Sequence, residues 1–359
     1  MLLKLVQVNL NHTAAAQDLL LQAMAEEKWD LAIISEPYRV PEHPHWAGDT
    51  EGLAAVVWAG SENSPPIQVL ERDRGYVMVK WGSTVIASCY ASPNKSTEAF
   101  ERYLDGLELA VRRNMGPPTI VAGDLNAKAR AWGSGITDAR GELFLDWMAN
   151  LGLSVMNQGQ ASTCVRWQGE SVVDVTLATP AACRRIAGWH VDEDWFTYSD
   201  HRYVRFELGL PGSRERPELR VVSRKNRGWA VRHIDEDMFE AAMQAGRWSA
   251  DAVKEGEASL EERARNVRET LWRACDASTP KKRSVRKKAL YWWNEQIAET
   301  RRRAGRIKRQ LTKMKRRGRE EEAIVLRENL REIKREMKAL IRDAKEKAWT
   351  EFVDTLNKD

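Results

Sequence analysis

Cysteine is scarce: four residues in 359, Cys89, Cys164, Cys183 and Cys275, with no Cys-x-x-Cys pair. That excludes a zinc ribbon and a dithiol redox motif, and such isolated thiols read as reduced groups of an intracellular protein. No apolar run approaches the ~20 residues that a membrane span needs. The N-terminus, Met-Leu-Leu-Lys-Leu-Val-Gln-Val-Asn9, lacks an apolar core followed by small residues, so a secretory signal is not expected. Overall charge is also slight, a net +5, but it is unevenly spread. Residues 1–210 carry 18 Lys+Arg against 26 Asp+Glu, and residues 211–359 carry 39 against 26. An acidic first part joined to a basic second part points to a polyanionic partner.

The first 210 residues alternate apolar runs with amphipathic stretches. Leu3–Val8, Leu31–Ser35, Ala54–Trp58, Tyr76–Trp81, Val85–Tyr90, Thr119–Ala122, Val172–Ala178 and Tyr203–Leu208 have strand character. Thr13–Glu27, Thr97–Arg113 and Gly141–Asn150 have helical spacing, the second ending before Gly116-Pro117-Pro118. This order predicts an α/β domain of two mixed sheets packed face to face with helices outside. Pro211-Gly212-Ser213 and the charged stretch to Arg227 read as a linker, and helical patterning follows from Ile234. Leu290, Trp293, Ile297, Ala304, Ile307, Leu311 and Met314 step at helical intervals. After Gly318 the same stepping resumes at Leu326 and runs to Leu356, which predicts an antiparallel helical hairpin. The expected divisions are 1–210, 211–284 as a linker with helices, and 285–359 as an all-α basic hairpin.

Four strand ends carry chemistry. In Thr119-Ile-Val-Ala-Gly-Asp124-Leu-Asn126 an apolar strand ends in an acid and an amide two residues apart. Alternation along a strand would send both to one side, where they suit a hard cation and a phosphate oxygen. Tyr198-Ser199-Asp200-His201 offers an imidazole before the last strand. Sequence neighbours seldom face each other, so the acid orienting His201 is expected to be Asp174, set in the β-branched run Ser171-Val-Val-Asp-Val-Thr176, where a carboxylate needs a partner. Ile33-Ile-Ser-Glu36-Pro37 delivers a further carboxylate, and Val6-Gln-Val-Asn9 an amide. Singly, each has a bland reading: an Asx turn, a surface histidine, a solvated strand end. Order and spacing set them apart: amide, acid, aromatic, acid-x-amide, acid, acid-His, each at a strand end.

That ordered set resembles the endonuclease/exonuclease/phosphatase superfamily, with its two-sheet DNase I-like sandwich. Within it the chain looks most like the apurinic-type endonuclease domain of non-LTR retrotransposon polyproteins. Asn9-Leu-Asn-His12 before an Ala-rich helix, Ser35-Glu-Pro-Tyr38 and Gly123-Asp-Leu-Asn-Ala-Lys128 are similar to arthropod lineages that insert at ribosomal or telomeric repeats. Tyr90-Ala-Ser-Pro-Asn94, Thr163, Ser171–Thr176 and Tyr198–His201 continue the match, which spans about residues 1–208. Asn11-His12 stands where relatives often have glycine. The resemblance implies that Glu36 ligates a divalent metal, Mg²⁺ or Mn²⁺, with Asn9 in support. It implies that Asp124 positions or deprotonates the attacking water, and that Asn126 binds a phosphate oxygen. His201, held by Asp174, would bind the scissile phosphate or act as the base, with Tyr90 and Asp200 at the leaving-group or metal side. The implied reaction nicks double-stranded DNA, leaving a 3′-hydroxyl that primes reverse transcription.

Other members of the fold are phosphomonoesterases, and a catalytically silent nucleic-acid-binding relic is the remaining alternative. Tyr291-Trp292-Trp293-Asn294 and the basic helix after it resemble the connector that precedes the reverse transcriptase in such polyproteins. No Tyr-x-Asp-Asp motif follows, so a fragment or a truncated element is expected, with element RNA and an absent polymerase domain as further partners. Arg301, Arg302, Arg303, Arg306, Lys308 and Arg309 are candidate phosphate contacts; their bland reading is a solvated helix face. Pro280-Lys-Lys-Arg283 and Arg286-Lys-Lys288 read as a nuclear-import signal or more phosphate-binding surface, and a nuclear location is expected. Trp132, Trp167 and Trp195 lie near the motifs as core residues or stacking platforms.

Overall fold

The computed structural model describes residues 2–61, 64–209, 234–251, 260–279 and 290–356. The expected linker after Pro211 and the basic segments between Pro280 and Lys288 lie outside the described residues. In chain order the elements are β1 (Leu2–Asn9), α1 (Ala14–Glu27), β2 (Leu31–Ser35), β3 (Trp46–Gly48), β4 (Ala54–Trp58), β5 (Ile67–Asp73), β6 (Tyr76–Trp81) and β7 (Thr84–Tyr90). Next come α2 (Thr97–Arg113), β8 (Thr119–Asp124), α3 (Ala139–Asn150), β9 (Ser154–Val155), β10 (Cys164–Arg166), β11 (Gly169–Ser171) and β12 (Asp174–Ala178). Then follow α4 (Pro180–Cys183), β13 (Ile186–Asp192), β14 (Tyr203–Gly209), α5 (Glu236–Asp251), α6 (Leu260–Ser278), α7 (Glu295–Arg316) and α8 (Glu320–Leu356).

The strands form two six-stranded mixed sheets, β13-β14-β1-β2-β4-β3 and β5-β6-β7-β8-β12-β9, and a small β10-β11 hairpin. β1 runs parallel to β2, and β7 parallel to β8, so Asn9, Ser35, Tyr90 and Asp124 end their strands at one edge of the sandwich. β12 runs antiparallel to β8 and opens with Asp174 directly opposite Asp124. β14 is antiparallel to β1, which brings the segment before it, with Asp200 and His201, to the same edge. Topology therefore gathers strand ends that are up to 190 residues apart, as in the bond from Ser199 Oγ to Asn9 O.

Between the sheets Leu5, Ile33, Val56, Val79, Ile86, Ile120 and Phe206 form an apolar layer. α2 and α3 cover the outer face of the second sheet through Phe100, Leu104, Leu107, Phe144 and Trp147. α1 covers the first sheet through Ala16, Leu20, Ala23 and Met24. Each Val, Leu, Ile, Met or Phe among them contributes roughly 1.5–3 kcal/mol when removed from water. Toward the site edge the interior becomes polar but paired. Ser35 Oγ donates to Cys89 O at 2.8 Å, Ser88 Oγ to Ile34 O at 2.9 Å, and Thr176 Oγ1 to Gln7 Oε1 at 2.7 Å. These bonds cross from one sheet to the other and fix their relative register at that edge. Gly123 is required by the parallel β7–β8 pair: a Cβ there would lie 1.9 Å from the backbone oxygen of Cys89.

α7 and α8 form the antiparallel hairpin around Gly318, whose φ is +68°. Asn294 caps α7 by accepting from Ile297 N at 2.9 Å. The hairpin belongs to the same compact unit as residues 1–219. Its apolar stripe, Trp292, Ile297, Ala304, Ile333, Met337 and Ile341, packs on Ala15 and Leu19 of α1 and on Phe196 of the β13–β14 loop. The second compact unit, residues 220–286, contains α5 and α6, packed as a pair with Asp235 N donating to Ser278 O at 2.9 Å.

Candidate active site

Three buried ionisable groups form the centre, since Asp124, Asp174 and His201 are each 1% exposed. His201 Nδ1 lies 2.8 Å from Asp174 Oδ2, and its Nε2 lies 3.8 Å from Asp124 Oδ2. Nε2 has no hydrogen-bond partner among the described residues, and neither does Asp174 Oδ1. Burial alone would lower the pKa of the imidazole. The Asp174 charge and hydrogen bond, with Cys164 and Asp124 adding to them, outweigh it and hold His201 well above its usual value. Burial and then the Asp174 charge push Asp124 up to about 7, against the opposing effects of His201, Asn9 and Asn126. The centre thus combines a cationic imidazole, one N–H of which is unused, with a carboxyl poised near neutrality.

Asp174 is seated by Thr163, whose buried Oγ1 accepts from Val173 N and Asp174 N, both at 3.2 Å. Asp124 is bracketed on both oxygens. Asn9 Nδ2 donates to Oδ2 at 2.8 Å, and Asn126 N donates to Oδ1 at 3.0 Å. Asn126 takes a left-handed conformation, φ 46°, and its Nδ2 donates to Ala91 O at 3.1 Å. Its amide carries a second N–H for another acceptor. The hydroxyl of Ser35 accepts from Asp124 N at 3.0 Å and holds the strand end in place.

Glu36 follows β2 in a left-handed conformation, φ 47°, which turns its carboxylate back over the strand edge. Tyr90 OH donates to Glu36 Oε1 at 2.5 Å, and His12 Nε2 lies 3.6 Å from the same oxygen. Burial and the Glu36 contact raise the Tyr90 phenol well above its usual range, so it stays a donor. Asn11 and His12 are both left-handed, φ 49° and 48°, a conformation that asparagine and histidine adopt more readily than most residues with a side chain. Asn11 N donates to Asn9 Oδ1 at 2.7 Å.

Asp200 lies near the imidazole next to it in sequence but makes its hydrogen bonds elsewhere. It accepts from Arg166 Nε at 2.7 Å and from Asn11 Nδ2 at 3.3 Å. Burial would raise its pKa, but His201 and Arg166 overcome that and lower it, so the carboxylate is charged. Ser199 Oγ accepts from His201 N at 3.1 Å and donates to Asn9 O at 2.8 Å, joining the histidine loop to β1. Ser35, Ser199 and Arg166 are parts of the site that motif reading missed. Serine in a strand or loop carries no distinguishing signal, and Arg166 acts through a partner 34 residues away.

The candidate phosphate contacts of α7 are largely engaged within the chain. Arg301 pairs with Glu26 at 2.8 Å and sits over the rings of Trp195 and Trp293 at 4.9 and 4.7 Å. Arg302 pairs with Glu295, Arg303 with Glu336, and Arg309 with Asp194. Lys308 Nζ donates to Ser199 O at 3.2 Å, and Arg306 is exposed without an ion pair among the described residues. Trp132 is core, its Nε1 donating to Ala127 O, and Trp195 packs on Trp29. Trp167 lies between Arg327 and Lys315, at 4.3 and 4.7 Å.

The family described as endonuclease-reverse transcriptase matches residues 84–205, a span that includes Asp124, Asp174 and His201. A search of curated proteins returns no match. Among solved structures, the endonuclease domain of TRAS1, a telomere-specific non-LTR retrotransposon, is 30% identical, and the match covers 58% of this chain and 99% of that domain, with TM-score 0.50. An AP endonuclease from Archaeoglobus fulgidus is 12% identical, covering 58% of this chain and all of its own length, with TM-score 0.48. A 3′-5′ exonuclease from Neisseria meningitidis is 16% identical over the same shares, 58% and 100%, with TM-score 0.47. The two-sheet architecture, the gathered strand ends and the likeness to the TRAS1 domain lead to one assignment: the chain belongs to the endonuclease family of non-LTR retrotransposons, on the DNase I-like fold of the endonuclease/exonuclease/phosphatase superfamily.

Proposed function

We propose that the chain is a divalent-metal-dependent endonuclease that nicks double-stranded DNA and leaves a 3′-hydroxyl for target-primed reverse transcription. The observation that carries this reading is the buried Asp124–His201–Asp174 set, in which His201 Nε2 has no hydrogen-bond partner among the described residues. An unused cationic N–H beside a carboxyl near neutrality fits an anionic phosphodiester and an attacking water. His201 donates from Nε2 to a phosphate oxygen, and Asp174 fixes the tautomer and keeps the ring charged. Asp124 takes the proton of the water, its pKa near 7 matching that task at neutral pH. Asn126 donates its second N–H to the phosphate.

The groups that could hold a cation divide by chemistry. Two clusters of acids with His201 are close enough for an ion, Cys164–Asp200–His201 and Asp124–Asp174–His201. Both would need His201 to give up a proton that the Asp174 charge helps to hold. Glu36 and Asn9 instead offer oxygens with one carboxylate between them, a set that suits Mg²⁺ or Mn²⁺ keeping most of its own water. Tyr90 and His12 both meet Glu36 at Oε1, which leaves Oε2 for an ion, while Asn9 Oδ1 already accepts from Asn11 N. An ion held there would neutralise charge developing on the phosphate and its leaving oxygen. In this reading the enzyme works in the nucleus, with element RNA and a reverse transcriptase domain as partners.

Substrate preference tests the reading against phosphomonoesterase activity. Duplex DNA should be cut, whereas inositol phosphates and simple phosphomonoesters should turn over at least ~10²-fold more slowly, as expected when diester contacts set transition-state binding. A polymerase should extend the nicks without end treatment. Equal turnover of inositol phosphates, or ends that cannot be extended, would reject the assignment.

A further inference from the structure

The basic hairpin touches the site through lysine ammonium groups that meet backbone carbonyls. Lys308 Nζ donates to Ser199 O at 3.2 Å, and Lys334 Nζ donates to Tyr198 O at 3.1 Å. Tyr198 OH returns a bond to Lys334 O at 2.8 Å, so tyrosine and lysine are tied in both directions. Two turns of α7 further on, Lys315 Nζ donates to Trp167 O at 2.8 Å and to Arg166 O at 3.1 Å. The carbonyls so held belong to two segments, Tyr198-Ser199 just before Asp200-His201, and Arg166-Trp167, whose arginine pairs with Asp200.

The Tyr198 backbone needs such support. Its φ of 62° is left-handed, which costs a residue bearing a Cβ about 1–2 kcal/mol. A strained backbone of this kind persists when its surroundings over-determine it. From this turn the chain reaches Ser199, which bonds Asn9 O and His201 N, and then the imidazole. Lys308 and Lys334 are both half-buried and lie beside an apolar interface formed by Phe196, Ile333 and Met337. Burial lowers the pKa of both lysines, Lys308 to about 7 with the Lys334 charge adding to it. The Asp200 carboxylate offsets this only in part, so the two amines are a cost for stability alone. They do place two strong donors on adjacent peptide units of the histidine loop.

We propose that the α7–α8 hairpin is a brace for the active-site loop, with Lys308 and Lys334 as positioning residues that hold His201 in register against Asp174 and Asp124. The family match ends at residue 205, so α7 and α8 lie outside it. Its kinetic consequence rests on the nuclease reading above, whereas its structural consequence does not.

The test uses the full chain and the variants Lys308→Met, Lys334→Met and their combination, each keeping most of the apolar stem. Lys338→Met, an exposed change on α8, serves as control. Ring ¹³C–¹H signals are recorded from histidine-labelled protein, with the His201 signal identified by its absence from His201→Gln. The double variant should shift that signal while the control does not. On duplex DNA its kcat should fall at least ~10-fold with KM changed less than about twofold, the pattern of lost alignment rather than lost grip. Melting temperatures show that folded proteins are being compared, and the single variants carry the comparison if the double variant does not fold. An unmoved His201 signal in folded variants would overturn the proposal. So would a raised KM at constant kcat, which would make the lysines DNA contacts. If the unaltered chain cuts no DNA, the nuclease reading fails, and the His201 signal still decides the brace.

Discussion

Asp124→Asn should lower the rate of DNA nicking by at least ~10²-fold, the usual scale for removing a general base or a main electrostatic group. The side chain keeps its shape, so DNA affinity should change little. Stability should change by less than about 2 kcal/mol, because two effects oppose each other. Burial and the facing Asp174 disfavour the Asp124 charge, which an amide removes. The amide, however, keeps only one acceptor and turns its NH2 toward a donor, Asn9 Nδ2 or Asn126 N. Rates by single turnover and melting temperature by calorimetry check both halves. A variant that nicks at the normal rate would remove Asp124 from the chemistry.

His201→Ala should be equally damaging to the rate, by at least ~10²-fold, but for a different reason and with a different effect on stability. The imidazole is the hydrogen-bond partner of Asp174 Oδ2, and Asp174 Oδ1 already has no partner among the described residues. Removing the ring leaves a buried carboxylate uncompensated, which costs about 3–5 kcal/mol. Adding Asp174→Asn should recover much of that stability without recovering any activity. The double change thus separates the two roles of the pair, since stability responds to charge balance and catalysis to the lost Nε2–H. Denaturant titration of the single and double variants measures the first, and plasmid nicking the second. If Asp174→Asn destabilised the His201→Ala protein further, Asp174 would not be acting as a charge held by the histidine.

Both the fold and the site were unevenly legible in the sequence. β2, β4, β6 and α2 have the bounds that their apolar runs suggest, because each is a largely buried strand or an amphipathic helix with clear stops. β5 was missed because most of it is exposed and Val69 and Leu70 face outward. β13 was missed because a register shift between Ala187 and His190 breaks its alternation. Asn9, Glu36, Tyr90, Asp124, Asp174 and His201 stood out as polar residues closing or opening apolar strands, and the topology brings those ends to one edge. The destination of the tail charges was not legible. Composition counts lysines and arginines, but only tertiary packing shows that Arg301 meets Glu26 and that Lys308 meets Ser199. A basic run that reads as a phosphate-binding face is, in part, an internal contact surface.

The most direct test is conversion of supercoiled plasmid to the open circle by the purified full chain. Nicking should appear with Mg²⁺, stop with EDTA, and return when Mg²⁺ is added in excess, while Asp124→Asn and His201→Ala stay inactive under the same conditions. Nicking that survives EDTA, or that the two variants retain, would contradict a metal-assisted hydrolysis centred on Asp124 and His201.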